Sequence, residues 1–290
     1  MLSNRTDRVI HLAAQVLARS GRRLFSPSDL ARILQEVRLD LGFSKSPGLK
    51  GFVDLLLQTK TLQKVHLTST YPLRTTCYAY GPFTAFELAV SLRPNSYLSH
   101  ATAAFLHSLS ETESQFVYVN QEQSAKSHSG PLTQAALNRA FATSQRQSAF
   151  IVTHEQTKIM LLSGKDTRQL GVQEITGKQG ELLRLTDIDR TLIDLAVRPS
   201  YSGGIHNVLR IYTGATAKTT AERLAEMLKG LAYLYPYHQA IGFLLARAGY
   251  APESLTPLAK LGCHFDFFLS HGMTKTKFDS QWRVHYPAEL

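Results

Sequence analysis

The chain has 290 residues, 43% of them apolar, and carries 32 Lys and Arg against 22 Asp and Glu, a formal net charge of +10. That composition can bury at least one large core and suits two domains, while no apolar run approaches the roughly 20 residues of a membrane helix. The basic, amphipathic start MLSNRTDRVIHLAAQVLARSG lacks the apolar stretch and small-residue cleavage site of a secretory signal. Cys77 and Cys263 are far apart, fit no metal spacing, and read as reduced thiols of a cytoplasmic protein. The charge is uneven. Residues 1–75 hold twelve Lys or Arg against five Asp or Glu, a net of +7, which leaves +3 for the remainder. This asymmetry points to a nucleic-acid-binding N-terminal module, and its plain alternative is a basic surface kept for solubility.

Apolar spacing predicts a first helix from Thr6 to about Arg19, with Val9, Leu12, Ala13, Val16 and Leu17 on one face and Gly21 closing it. A second helix starts at Ser26-Pro27, with Ser26 as N-cap and Asp29 at the capping-box position, and buries Leu30, Ile33, Leu34 and Val37. A third begins near Ser46-Pro47, with Leu49, Phe52, Val53 and Leu56 inside and Lys50, Asp54 and Gln58 outside. TLQKVHLTSTYPLRTTCYAYG then reads as two strands around a Pro72 turn. Three helices followed by a hairpin are the order of a winged helix-turn-helix, whose third helix enters the major groove by its N-terminal end. Lys45, Ser46 and Lys50 are the expected groove contacts, and Arg22, Arg23, Lys60, Lys64 and Arg74 the expected phosphate contacts. Asp54 on the same face counts against DNA, since it repels phosphate.

From residue 83 the character changes. FTAFELAVSL and YLSHATAAFLHSL read as short helices, FVYVN as a strand, QEQSAKSHSGP as a loop and PLTQAALNRAFA as a helix. AFIVTHE, KIMLLSG, VQEITG and GELLRLT are candidate strands. LTDIDRTLIDLAVRPSYSGG, residues 185–204, reads as one helix with Thr186 as N-cap, Asp187 and Asp189 in the first turn, Asp189 completing a Thr-x-x-Asp capping-box spacing, a stop at Pro199 and a turn at Gly203-Gly204. Ala221 to Ala232 and HQAIGFLLARAGY, capped by Gly249, follow as helices, and HFDFFL and QWRVHYP as closing strands. The expected architecture is α+β: a winged helix-turn-helix over residues 1–82, then a mixed α+β domain over 83–290.

With these segments placed, the chain resembles the AbiEi family, the antitoxins of the AbiE (abortive infection, type IV) toxin–antitoxin systems. YLSHATAAFLHSL with the FVYV strand is similar to one family block. LTDIDRTLIDLAVRPSYSGG is similar to the hallmark (E/D)RTLIDxxxRPxxxGG segment, and YHQAIGFLLARAGY to a helix near the family's C-terminus. The antitoxin-domain motif falls here on Asp189, Arg190, Thr191, Asp194, Arg198, Gly203 and Gly204. Asp189 stands where some relatives carry Glu, and His107-Ser108 where His-Gly is more usual. The resemblance implies an autorepressor that binds inverted repeats in its own promoter, and an antitoxin that counteracts a co-encoded nucleotidyltransferase toxin without needing to bind it stably. Symmetric operators require two protomers, hence a weak dimer or two cooperating monomers.

Catalytic readings are weaker. Asp187-x-Asp189 with Asp194 could hold Mg²⁺ as in nucleotidyltransferases, but GKQGELLRL before the pair lacks the Gly-Ser turn that cradles phosphate, and helix capping accounts for the aspartates. His264-x-Asp266 with His271 could suggest a ligand set, but the alternation in HFDFF gives them opposite company on a strand, and no zinc, serine-hydrolase or P-loop motif is present. No metal or cofactor is expected, and the chain reads as non-enzymatic. Arg190, Asp194 and Arg198 recur every four residues and read as a charge ladder that anchors the helix, with a surface facing RNA, nucleotide or toxin as the alternative. The competing function class is an interaction module that clamps the toxin directly.

Overall fold

Helical periodicity in the first sixty residues yields three helices in the computed structural model, which describes residues 4–41, 48–72, 76–125 and 130–290. Helix α1 (Asn4–Arg19) turns Val9, Ala13, Val16 and Leu17 inward. Strand β1 (Leu24–Phe25) leads to helix α2 (Pro27–Leu41), which opens on the expected capping box: the Ser26 amide donates to the Asp29 carboxylate at 2.9 Å and the Asp29 amide to the Ser26 hydroxyl at 3.2 Å. Helix α3 (Leu49–Gln58) buries Phe52, Val53 and Leu56 against Leu30, Ile33, Leu34 and Val37 of α2. The start expected for it at Ser46-Pro47 lies outside the described residues.

Strands β2 (Gln63–Val65), β3 (Thr68–Ser69) and β4 (Cys77–Ala79) follow. β4 pairs antiparallel with both β1 and β2, giving a small sheet of order β1-β4-β2. The two arms of the expected hairpin therefore meet, but they do not close on a Pro72 turn. β3 instead leaves them and pairs with the strand Ile151–His154 of the large sheet. There the Thr70 hydroxyl donates to the Ala149 carbonyl at 2.7 Å and accepts from the Ile151 amide at 3.0 Å, while Tyr71 packs edge-on against Phe150. Leu24, Val65, Cys77 and Ala79 also share a core with Leu88 and Ala89, so the packing runs continuously across residue 82.

Helix α4 (Ala85–Ser91) is capped by a Thr84–Glu87 capping box. Strand β5 (Tyr97–Leu98), helix α5 (His100–Leu106), strand β6 (Phe116–Glu122), helix α6 (Gln134–Phe141) and strands β7 (Ile151–His154), β8 (Thr157–Gly164), β9 (Val172–Thr176) and β10 (Leu182–Thr186) complete the middle of the chain. Among the described residues they form a seven-stranded mixed sheet of order β3-β7-β8-β6-β5-β10-β9, with β6–β8 and β5–β10 parallel. Tyr97–Leu98, expected as helix, is a strand because both residues are fully buried between β6 and β10, and the helix waits until after Ser99.

Beyond the sheet come helix α7 (Ile188–Val197), a 3₁₀ turn (Pro199–Ser202) and helices α8 (Ile205–Gly214), α9 (Ala221–Leu231) and α10 (Tyr237–Arg247). A second 3₁₀ turn (Pro252–Leu255) and helix α11 (Thr256–Ala259) lead to β11 (Phe267–Phe268), β12 (Thr276–Asp279) and β13 (Val284–Pro287), ordered β11-β13-β12. α8 and β12 were not expected from the sequence. The helices enclose the core formed by Leu192, Ile193 and Leu195 of α7 with Tyr212, Phe243, Phe267 and Trp282. Mid-helix Gly242 permits the Trp282 contact, since a Cβ there would lie 2.2 Å from the indole. The fold class is mixed α+β, as the composition and spacing led one to expect.

Candidate functional site

The amphipathic pattern that buries Phe52, Val53 and Leu56 leaves Lys50, Asp54 and Gln58 exposed on α3. Lys60 sits in the turn after α3 with φ 56°, its amide donating to the Leu57 carbonyl at 3.1 Å. Lys64 projects from the exposed side of β2. Among the described residues none of these three lysines has an ion-pair partner. Arg22 and Arg23 differ. Arg22 donates to Asp29 at 2.9 Å, and Arg23 reaches Glu87 at 3.4 Å and the Gln179 carbonyl at 2.8 Å, which ties the start of α2 to α4 and the β9–β10 loop. Burial alone would raise the Asp29 carboxyl, but the hydrogen bonds from Arg22 and Ser26 outweigh it and hold it well below the usual carboxylate range. Lys45, Ser46 and Arg74 lie outside the described residues.

The 185–204 segment holds one α-helix that stops before Pro199 as expected, but its start differs. Leu185 and Thr186 end β10, because Thr186 is fully buried and pairs with Val172, so the helix cap shifts to Asp187, whose side chain accepts from the Arg190 amide at 2.7 Å. The Thr186 hydroxyl instead meets the Thr191 hydroxyl at 2.8 Å, and its carbonyl accepts from His107 Nε2 at 2.6 Å. Asp189 closes no capping box. It is buried, accepts from the Thr219 hydroxyl at 2.5 Å and pairs with Arg223 at 2.6 Å. Only half of the charge ladder forms. Arg190 Nε bonds Asp194 at 2.9 Å with both side chains buried, while Arg198, beyond the end of α7, donates to the Arg146 carbonyl at 3.1 Å and lies over the Tyr201 ring. Gly203 and Gly204, at φ 76° and 89°, turn the chain straight into α8, a conformation costly to other residues.

Arg190, Asp194 and Arg198 of the motif line a cleft of about 990 Å³ between α7, the end of β8 and the α9–α10 connection. Arg190 also donates to the Leu170 carbonyl at 2.8 Å and the Thr167 hydroxyl at 3.0 Å, and Glu122 accepts from the Thr167 and Gln169 amides, so the β8–β9 loop is fastened to the floor of the cleft. Lys165 donates to the Leu231 carbonyl at 2.7 Å and to the Ala232 carbonyl, with its ammonium 5.3 Å from the centre of the Tyr233 ring. His100, buried in the cleft wall at φ 51°, shares a hydrogen bond with the Ser99 hydroxyl at 2.9 Å, and burial pushes its imidazole down to about 4. Lys165, Tyr233, Tyr235 and Arg146 escaped the sequence reading. They come from loops that no spacing links, and the only local sign was the Tyr-x-Tyr-Pro-Tyr run at 233–237.

Away from the cleft Asp266 pairs with Arg283 at 2.6 Å, while His271, on the cleft wall, stacks on Phe141. Among the described residues no group of three or more His, Cys, Asp or Glu is placed to hold a metal ion, and no helix is long and apolar enough to cross a membrane. No family model matches the chain, and no curated protein matches its sequence. Among solved structures it is similar to the RV2827C protein from Mycobacterium tuberculosis, with a TM-score of 0.57 and 14% identity over 96% of this chain and 91% of that one. At that identity the likeness is one of fold.

Proposed function

We propose that the chain is an AbiEi-like, non-enzymatic regulator: a DNA-binding autorepressor that also neutralises a co-encoded nucleotidyltransferase toxin. The supporting observation is the N-terminal order α1-β1-α2-α3-β2-β4 with exposed Lys50, Lys60 and Lys64 spread from the start of α3 to β2. That order is the one of a winged helix-turn-helix, in which α3 enters the major groove and the β2–β4 arms rest on phosphates. Lys50 lies in the first turn of α3, where the helix dipole also favours a phosphate. Arg22 and Arg23 are engaged by Asp29 and Glu87, so the lysines, together with Lys45, Ser46 and Arg74, carry most of the contact. Backbone neutralisation makes such binding fall steeply with salt. The antitoxin half rests on the resemblance of the Asp189 to Gly204 motif.

Titration of the chain with its own promoter duplex tests the DNA half: Lys50→Ala/Lys60→Ala/Lys64→Ala is expected to weaken binding at least tenfold, and an unchanged affinity overturns the surface. The same triple variant tests the antitoxin half without cutting a shared core at residue 82. Rescue of growth from the toxin is expected to persist after operator binding is lost. A stable stoichiometric complex with the toxin on co-purification overturns the indirect mechanism in favour of direct clamping.

A further inference from the structure

We propose that the cleft beside α7 binds a nucleoside phosphate, with Arg146 and Arg198 at the phosphate and Lys165 with the Tyr233 and Tyr235 rings at the base end. This inference does not depend on the DNA-binding reading, because among the described residues none from the N-terminal helices lines the cleft.

Size comes first. About 990 Å³ is at the upper end of the volumes, roughly 300–1,000 Å³, in which proteins enclose drug-sized ligands. Charge comes second. Arg190 and Asp194 cancel in their buried pair, which leaves three exposed cations against Asp166 on the walls. The bond from Arg198 to the Arg146 carbonyl places these two residues side by side, and guanidiniums are suited to bidentate recognition of phosphate oxygens. A concave wall of one sign also concentrates an anion before it binds. His100 and His271, both pushed toward the neutral form by burial, add acceptors and donors without adding charge.

The aromatic half has its own geometry. Tyr233 and Tyr235 are half-buried and both pack edge-on against Tyr237, at 5.3 Å and 6.2 Å between ring centres. Lys165, held by the carbonyls at the end of α9, stands beside Tyr233 and brings a cation to the same end of the cleft. Adjacent cations and tyrosine rings match a ligand that joins a phosphate to a planar base, since stacking on an aromatic ring accepts any base. The wall is also costly to build. His100 is a non-glycine residue held in the left-handed region, a conformation that side chains disfavour. The buried Arg190–Asp194 pair is weak as a source of stability. Such costs concentrate where a site must be preformed.

The test is fluorescence titration of the full chain with a fluorescent ATP analogue, with ATP and inorganic phosphate as competitors. Saturable binding is expected, weakened at least tenfold in Arg146→Ala/Arg198→Ala and in Tyr233→Leu, and unchanged in Lys50→Ala/Lys64→Ala. Thermal unfolding of each variant confirms folding, and the exposed Arg146 and Arg198 make the first variant the safer one. Absence of saturable binding by the parent chain overturns the proposal, as does equal affinity in the folded variants. Loss of binding in Lys50→Ala/Lys64→Ala also overturns it by moving the nucleotide to the N-terminal surface. Displacement by inorganic phosphate as effective as by ATP overturns the base contact. Failure of operator binding alone leaves all these readouts standing, so the two proposals fail separately.

Discussion

The two charged regions of this molecule handle their cations in opposite ways. From α3 through the following turn to β2, Lys50, Lys60 and Lys64 stand in water, where charge costs little and a polyanion can reach it. On α7, Arg190 is buried against Asp194, a peptide carbonyl and two hydroxyls, and Asp189 is buried against Arg223 and Thr219. Charge density along the sequence therefore says little about exposure. Lys50 lies opposite the apolar stripe of α3, and Lys60 and Lys64 on the exposed turn and strand that follow, whereas the α7 charges sit on a helix packed on several sides. The first region can be altered at little cost to stability, and the second cannot.

The largest expected break in this contrast is Asp194→Ala. It leaves the Arg190 guanidinium buried without its carboxylate and is expected to cost about 3–5 kcal/mol in urea unfolding. Arg190→Met/Asp194→Leu is expected to cost far less than the two single changes summed, and a loss below about 1 kcal/mol for Asp194→Ala would mean that the pair is effectively solvated. Next, Gly242→Ala drives a methyl into the Trp282 ring and is expected to cost about 1–3 kcal/mol, read as a lower unfolding midpoint.

The third prediction concerns pH. Burial, with Arg190 and Arg198 nearby and Asp194 opposing, lowers His100 from 6.5 to about 4, so the unfolded chain binds a proton that the folded chain refuses. Stability is expected to be full above pH 6.5 and to fall as pH drops toward 4. His238 and His271, also lowered by burial, contribute with the same sign. His100→Gln is expected to reduce that slope without abolishing it, and an identical slope in unfolding titrations would remove His100 from the account. The smallest expected effects are on the N-terminal surface, where Lys50→Ala, Lys60→Ala and Lys64→Ala should each shift stability by no more than about 0.5 kcal/mol.

What the sequence made legible follows the same division. The α2 capping box, the stripe on α3 and the β2 and β4 arms were readable because they depend on local spacing. The 185–204 segment was identifiable as a unit, yet its start was misread. Thr186 and Asp187 are both N-cap residue types, and the pairing of β10 with β9 decides between them. The Arg198 rung failed because the backbone leaves the helix at that residue. The departure of β3 to the large sheet and the assembly of Lys165, Tyr233 and Arg146 around one cleft are long-range events, and no periodicity records them.

The division is tested most directly by the salt dependence of binding to the chain's own promoter duplex. If Lys60 and Lys64 rest on phosphates, Lys60→Ala/Lys64→Ala lowers the slope of log affinity against log salt by about 2, with stability within about 0.5 kcal/mol of the parent for each change. A slope and an affinity equal to those of the parent chain would contradict it.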